Sequence, residues 1–468
     1  MMQLSRRGFL TSSLAGLATT ACGSHVAQQS ETAAAVTASD RILLKGGCVL
    51  SLDTQVGDFE VADVLIEGSR IAAVGPNLEA TAEVIDASNT IVMPGFVDTH
   101  RHMWQGALRN ILPNGVLNDY VRDLLVTVRG VMRPEDVRIG NLVTALGAIN
   151  AGVTTVLDWS HIGNTPAHTD AAIAGLRESG IRAVYGFGGG IGGPSNQYPQ
   201  DIRRLRTEHF ASPDQLLTLA MAAGMTAGEW AVAREVGASI SVHAGGTLAE
   251  LDNVLGPDVT YIHCTTFTDD AWQRVADSGG HISLACPVEM KMGHGIPPIQ
   301  QALDHGLRPS LSVDVETEMP GEFFTQMRAV LTLQRMLALA PPTAGTRAPD
   351  LLTAREVIEF ATIAGARANR LDTKIGTLAP GKEADLIMLR TDAINVMPVN
   401  NVYGAIVLGM DTSNVDTVFI GGVPRKRNGR LVGVDLESVR REAEQSRDAI
   451  VSAAGWPRTL LGGYLPGH

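Results

Sequence analysis

Met93-Pro94-Gly95-Phe96-Val97-Asp98-Thr99-His100-Arg101-His102-Met103-Trp104 is the stretch on which the reading of this chain turns. Ile91 to Val97 reads as a buried strand, interrupted only by Pro94-Gly95, and it runs into two histidines one residue apart. Side chains alternate along a strand, so His100 and His102 point to the same side. Two neutral imidazoles converging at a strand end make half of a divalent-metal site. A bare His-x-His pair is more often a solvent-facing or core feature, so the rest of the chain has to decide.

Outward from that stretch, the central region alternates strand and helix patterns, the signature of parallel βα units. Eight strands are expected: Ile91–Thr99, Thr154–Trp159, Ala183–Phe187, Leu216–Met221, Ser239–His243, Val259–Cys264, His281–Cys286 and Ser310–Asp314. Pro134 opens one intervening helix, Gly180 stops another and Gly237 a third. Eight such units close into a barrel whose site lies at the C-terminal ends of the strands. An open doubly wound sheet is the alternative, but no glycine-rich phosphate fingerprint follows the first strand. His100, His102, His243, His263 and Asp314 all fall near a strand's C-terminal end. His281 opens its strand and belongs to the opposite face, and His305 reads as helical.

Before the barrel, short strands with glycine turns run over Ile42–Leu50, Ala62–Glu67, Arg70–Val74 and Glu83–Ile85. A matching set returns at Asp385–Leu389, Ala405–Leu408 and Val415–Ile420, with Asn428-Gly429 as a hairpin signal. The expected fold class is therefore α/β, a (β/α)8 TIM-like barrel with a small β-sandwich domain built from both ends of the chain. The expected divisions are 1–39 (signal and linker), 40–90 and 375–435 (small β domain), 91–374 (barrel) and 436–468 (C-terminal helix and tail).

A chain of 468 residues, 45% hydrophobic and 18% charged, can bury one large core and a satellite. Its formal charge of −12 argues against nucleic acid or an anionic membrane as partner and leaves a small-molecule substrate. A homo-oligomer is compatible with this composition. Cys48, Cys264 and Cys286 lack Cys-x-x-Cys spacing, and the last two read as buried apolar residues.

Ser5-Arg6-Arg7-Gly8-Phe9-Leu10 is a twin-arginine sequence followed by an uncharged run to Ala21, too short to span a bilayer. The reading is export of the folded protein by the twin-arginine machinery to the periplasm or outside the cell. Cleavage near Ala21-Cys22 is expected. A lipid anchor at Cys22 is the weaker alternative, because Thr19 sits where a lipobox favours leucine.

The ordered set His100, His102, His243, His263, Asp314 resembles the amidohydrolase superfamily. So does the tail Gly365-Ala366-Arg367 through Ile375-Gly376-Thr377-Leu378-Ala379-Pro380-Gly381-Lys382-Glu383-Ala384-Asp385-Leu386. The chain looks most like the branch holding triazine hydrolases and guanine, cytosine and adenosylhomocysteine deaminases. That resemblance implies one divalent metal, zinc first with iron, cobalt or manganese as alternatives, on His100, His102, His243 and Asp314. It implies Asp314 as the base that takes the proton of a metal-activated water, and His263 as stabiliser of the developing charge. The fourth strand carries no lysine, so a bridged two-metal centre is not expected.

Two departures from those relatives matter. They place a glutamate three residues after the third histidine, where this chain has Gly246, with Glu250 further along as the candidate substitute. After the proline of the seventh strand they carry Ser-Asn, where this chain has Val288-Glu289, which brings Glu289 and His294 forward as substrate-facing candidates. Trp104, Trp159 and His161 are candidate pocket walls, and Gly188–Phe210 reads as a lid carrying Tyr198. Lacking the glutamate that protonates a ring nitrogen, the chain reads as a hydrolase of C–N bonds in amide-like, carbamate-like or cyclic small molecules. Deamination or dechlorination of an N-heterocycle is the alternative, and an inactive exported binding protein the third reading. If the signal reading holds, replacing Arg6 and Arg7 by lysine leaves the protein in the cytoplasm. Cell fractionation tests this, and unchanged export of the double variant contradicts it.

Overall fold

The computed structural model describes residues 41–190, 197–340, 348–458 and 460, so the expected signal, Cys22 and part of the expected lid lie outside the described residues. The described residues form one compact unit. Its first strands are β1 (Arg41–Val49), β2 (Phe59–Glu67), β3 (Arg70–Gly75), β4 (Glu83–Asp86) and β5 (Thr90–Pro94). The barrel strands follow: β6 (Phe96–Arg101), β7 (Val153–Gly163), β8 (Arg182–Gly189), β9 (Leu217–Ala223), β10 (Ser239–Ala244), β11 (Val259–His263), β12 (His281–Leu284) and β13 (Ser310–Leu311). Last come β14 (Leu386–Arg390), β15 (Val415–Ile420), β16 (Val423–Arg427) and β17 (Arg430–Leu431).

Strands β6 to β13 pair in sequence order, every neighbour parallel. The ring closes between its first and last members. Asp314 N donates to His100 O at 3.0 Å, and His102 N to Asp314 O at 2.9 Å. The other nine strands form one mixed sheet from both ends of the chain, in which β5 lies between β1 and β14. No helix among the described residues is long and apolar enough to cross a membrane.

The opening stretch divides differently from its reading as one strand. Thr90–Pro94 belongs to the small sheet and Phe96–Arg101 to the barrel, with Gly95 between them. Gly95 N donates to Asp385 O in one domain while Phe96 N donates to Gly152 O in the other. A Cβ at Gly95 would stand 2.1 Å from Thr154 Cγ2, so the chain can pass between the sheets only without a side chain there. Apolar patterning sees one run because both halves are fully buried.

Ala405–Leu408, expected as a strand, is helical: Ala405–Gly409 continues the turn Val402–Gly404, which Asn401 Oδ1 caps by accepting from Gly404 N at 2.8 Å. Four apolar residues do not separate the two periods, and the capping asparagine is the signal that decides. Asn428 and Gly429, both left-handed, make the expected hairpin between β16 and β17. The helices open and stop near the expected residues, at Pro134–Asn150, Pro166–Ser179 and Ala227–Glu235. Phe323 and Phe324 anchor the helix Phe323–Ala338 against Phe96, with ring centroids 5.6 and 5.5 Å away. His281 begins β12 as expected, and His305 caps the helix Ile299–Asp304.

A buried ion cluster reinforces the closure. Arg101 Nε donates to Asp98 Oδ2 and its Nη1 to Glu316 Oε1, both at 2.7 Å, and Arg109 holds the second oxygen of Glu316. Asp98 and Arg101 are wholly buried and Glu316 nearly so. Removing one member strands the others without compensation, which costs about 3–5 kcal/mol. Arg101→Met is therefore expected to lower the stability of metal-free protein by about that amount. Urea unfolding measures it, and an unchanged midpoint contradicts it.

Candidate metal centre

β6 delivers His100 and, one residue past its end, His102. β10 delivers His243, the last residue of β11 is His263, and Asp314 follows β13. His263 and Asp314 both have φ of +66°, a left-handed conformation that costs a non-glycine residue free energy. Both sit where the chain leaves the barrel wall.

Their side chains meet. Asp314 Oδ1 lies 3.1 Å from His100 Nε2 and 3.3 Å from His102 Nε2, and His243 Nε2 lies 3.2 Å from His100 Nε2. His263 Nε2 stands 3.7 Å from Asp314 Oδ2. Two overlapping groups of ligand atoms result, His100 with His102 and His243, and His100 with His263 and Asp314.

One contact tests whether a cation fits. His102 Nδ1 is 2.8 Å from the carbonyl of Trp159, so Nδ1 carries the proton and Nε2 presents a lone pair. That lone pair faces a carboxylate oxygen at 3.3 Å. Two acceptors facing each other in a buried site repel unless a positive charge stands between them. Burial, then the neighbouring His100, pushes His102 down to about 3, so a proton on Nε2 is not what separates them at neutral pH. Burial and the adjacent histidines likewise push His243 well below its ordinary value. Burial pushes the Asp314 carboxyl up, but the hydrogen bond with His100 and the neighbouring imidazoles outweigh it and hold the group well below the usual range. Neutral imidazoles around an ionised carboxylate are a donor set for a first-row divalent cation.

His263 is set differently. Its Nδ1 lies 3.1 Å from Glu289 Oε1, an oxygen that also accepts from Ala285 N at 2.8 Å. Burial pushes His263 down, yet the bond to Glu289 and the charges of Asp314 and Glu289 carry its basicity above the ordinary value. Glu289, expected to face substrate, is fully buried on the helix Cys286–Met292 and stands behind His263. The helix starts at Cys286 and turns Glu289 inward. His294 does approach the site, its ring 4.7 Å from that of His263, with burial pushing it down to about 4.

The aromatic candidates brace the histidines. Trp159 packs edge-on against His243 at 4.3 Å and donates to Ser241 O. His161 stacks on His102 with centroids 4.0 Å apart, and Trp104, fully buried, donates to His161 Nδ1 at 3.0 Å. Trp104 thus sits behind the first layer of side chains. Tyr198, from the expected lid, donates to Glu229 Oε2 at 2.5 Å.

Gly246 has φ of +70°, and a Cβ there would meet nothing within 4 Å. The position has room for a side chain, but its backbone is one that residues other than glycine adopt at a cost. Glu250 is exposed on the turn Ala249–Val254. β9 carries no lysine.

Sequence reasoning missed several groups. Asp158, on β7, is wholly buried, and burial pushes its carboxyl up to about 7. It accepts from Asn141 Nδ2 at 2.7 Å and from Met103 N, fixing the turn after His102. Glu318, paired with Lys291 at 2.5 Å, and Tyr120, which accepts from Gln105 Nε2 at 2.6 Å, were also passed over. For Glu318 the one legible signal was the alternation Asp314-Val315-Glu316-Thr317-Glu318.

Known proteins place this geometry. Residues 91–425 match the model described as the amidohydrolase family. A 5'-deoxyadenosine deaminase of Methanosarcina mazei is 26% identical over 440 residues, covering 88% of this chain and 98% of the relative. A 5-methylthioadenosine/S-adenosylhomocysteine deaminase of Pyrococcus abyssi is 24% identical, covering 85% and 96%. Among solved structures, an adenosine deaminase from Xanthomonas campestris with bound zinc superposes with a TM-score of 0.78 at 21% identity, covering 88% of this chain and 98% of that one. An atrazine chlorohydrolase from Arthrobacter aurescens TC1 complexed with zinc gives 0.75 at 22%, covering 87% and 100%. The match spans the whole barrel and the histidines and aspartate gathered in it, and this chain belongs to the amidohydrolase family of hydrolases.

Proposed function

We propose that this hydrolase cleaves a C–N bond at an sp² carbon of an amide-like, carbamate-like or cyclic small molecule, using one divalent ion held by His100, His102, His243 and Asp314. The observation that carries the reading is the lone pair of His102 Nε2 facing Asp314 Oδ1 at 3.3 Å, an arrangement that calls for a cation. Zinc is the first choice, supported by its presence in the adenosine deaminase and atrazine chlorohydrolase structures. Such an ion, when bound, lowers the pKa of a water from about 16 to about 7.

The remaining work falls to side chains. Asp314, ionised and acceptor-only, takes the water's proton at Oδ2 and passes it on. His263, with Nδ1 tied to Glu289, presents Nε2 toward Asp314 and donates to the oxygen or nitrogen that gains charge as the water adds. Trp159 and His161 hold the imidazoles in place and keep bulk water from them. A carbonyl substrate needs no ring protonation, which suits a site with glycine at 246.

The names of the relatives favour a second reading, deamination or dechlorination of an N-heterocycle. An assay panel of amides, carbamates, lactams, adenosine derivatives and chlorotriazines, read for released amine, ammonia or chloride, separates the two. Metal-loaded protein that turns over none of them supports the inactive binding protein instead. Our reading puts this activity outside the cytoplasm, supported by the twin-arginine sequence Ser5-Arg6-Arg7.

Elemental analysis is expected to find close to one divalent ion per chain after reconstitution, and two or none contradicts the centre. Asp314→Asn is expected to lower turnover about a thousandfold or more, since general-base loss alone is worth about 10²–10⁴. Glu250→Gln is expected to change it by less than about threefold, its side chain being exposed. Equal damage from both, with ammonia released, overturns the preference for amides.

A further inference from the structure

Asp158 and Trp159 are consecutive residues of β7, and between them they hold His102 and the residue after it. The carbonyl of Trp159 accepts from His102 Nδ1 at 2.8 Å and so sets the ring. Alternation along the strand turns the Asp158 side chain the other way, toward the helix Pro134–Asn150. From there it reaches the backbone: its Oδ1 accepts from Met103 N at 3.3 Å. Met103 opens the helix Met103–Leu108, and the first N–H groups of a helix have no partner within it. His102, ahead of it, makes no capping hydrogen bond through its side chain. A residue 55 positions away in sequence therefore supplies the acceptor. The carbonyl of Met103 is gripped as well, since Thr144 Oγ1 donates to it at 3.0 Å. Asn141, three residues before Thr144 on the same helix face, donates through Nδ2 to Asp158 Oδ2 at 2.7 Å and fixes the carboxylate. The helix comes this close because Gly140 has no side chain: a Cβ there would stand 2.2 Å from Trp104 O. Asp158, Asn141 and Thr144 are all buried. A buried carboxylate is costly, and the two hydrogen bonds it accepts are what offset that cost.

We propose that Asp158 is a positioning residue for the metal centre: it anchors Met103 from one end while Thr144 anchors it from the other, and so fixes the orientation in which His102 Nε2 meets the ion. This deepens the metal-dependent reading and rests on it. Asp158 touches neither ion nor substrate and acts through the peptide that follows the ligand. Removing a hydrogen bond that orients a metal ligand costs about 10–100-fold in metal affinity. The acceptor on Met103 N, rather than the negative charge, carries the role. Asp158→Asn separates the two, because the new amide keeps an oxygen for Met103 N. Its NH2 then has a partner in Asn141 once the Asn141 amide turns over, since Asn141 Oδ1 is buried with no partner among the described residues. Asp158→Leu loses both hydrogen bonds.

The test needs no turnover. Zinc dissociation constants are measured by competition with a chromophoric chelator, and visible spectra are taken of the cobalt-substituted protein, whose bands report the angles between ligands. Asp158→Leu is expected to weaken zinc about tenfold or more and to shift the cobalt bands. Asp158→Asn is expected to stay within about threefold of wild type, with the bands in place. Thr144→Val, nearly isosteric, is expected to weaken zinc about fivefold or more, and it carries the test if Asp158→Leu does not fold. A purely structural Asp158 predicts a lower unfolding midpoint with zinc affinity and cobalt bands unchanged, and that result in folded Asp158→Leu overturns the proposal. Asp158→Asn as damaging as Asp158→Leu overturns it too, because the charge would then be what matters. So does Thr144→Val at wild-type affinity. Wild-type protein that binds neither zinc nor cobalt overturns the metal centre itself, whereas a wild type that binds both beside indifferent variants overturns this proposal alone.

Discussion

The site depends on two backbone hydrogen bonds, Asp314 N to His100 O and His102 N to Asp314 O, which sew the last barrel strand to the first. Without them the carboxylate and the paired histidines have no common origin, because 214 residues separate His100 from Asp314. Backbone pairing sets their heights, and the left-handed turn at Asp314 aims the carboxylate across the strand ends. Arg101 sits between the two histidines on β6 and points the other way, into Asp98 and Glu316. The alternation that sends His100 and His102 inward therefore sends the cation outward, where two acids hold it. One strand supplies both the ligands and the lock that keeps them registered.

Charge is distributed around the centre with the same economy. Neutral imidazoles need buried surroundings, and burial is also what raises Asp158 and Glu318 toward 7. Asp314 escapes that rise because the histidines around it favour its ionised form. Neighbouring carboxyls thus reach different protonation states through their partners, which is the condition for dividing acid and base work between them. His263 belongs to the same scheme: Glu289 makes it more basic than burial alone would allow.

Much of this was legible in the chain. The barrel strands, their order and the five strand-end residues follow from apolar runs, glycine stops and histidine placement. Register within a strand told which residues share a side, which is why His100 and His102 could be paired from sequence. What stayed hidden depends on partners remote in sequence. Nothing local marks Glu316 as the acid for Arg101, or Lys291 as the base for Glu318. The interruption at Pro94-Gly95 did not show itself as a crossing between two sheets because both flanking strands are buried and equally apolar; the contact with Thr154 is what demands glycine. Glu289 was put forward only for its place after Pro287, and its pairing with His263 was not legible because that partner comes from another strand.

The position of β5 has a consequence for how the chain is made. Of its two neighbours, β1 precedes it, but that pairing reaches only Ile91 and Val92. The longer pairing, Thr90 to Pro94 against Leu386 to Arg390, waits for the far end of the barrel to emerge. At usual rates of synthesis that wait is on the order of tens of seconds. Throughout it an apolar edge with open hydrogen-bonding groups is available to any other strand. Synthesis therefore exposes its stickiest surface before the segment that covers it exists, and yield in a cell becomes a contest between strand β14 and neighbouring nascent chains.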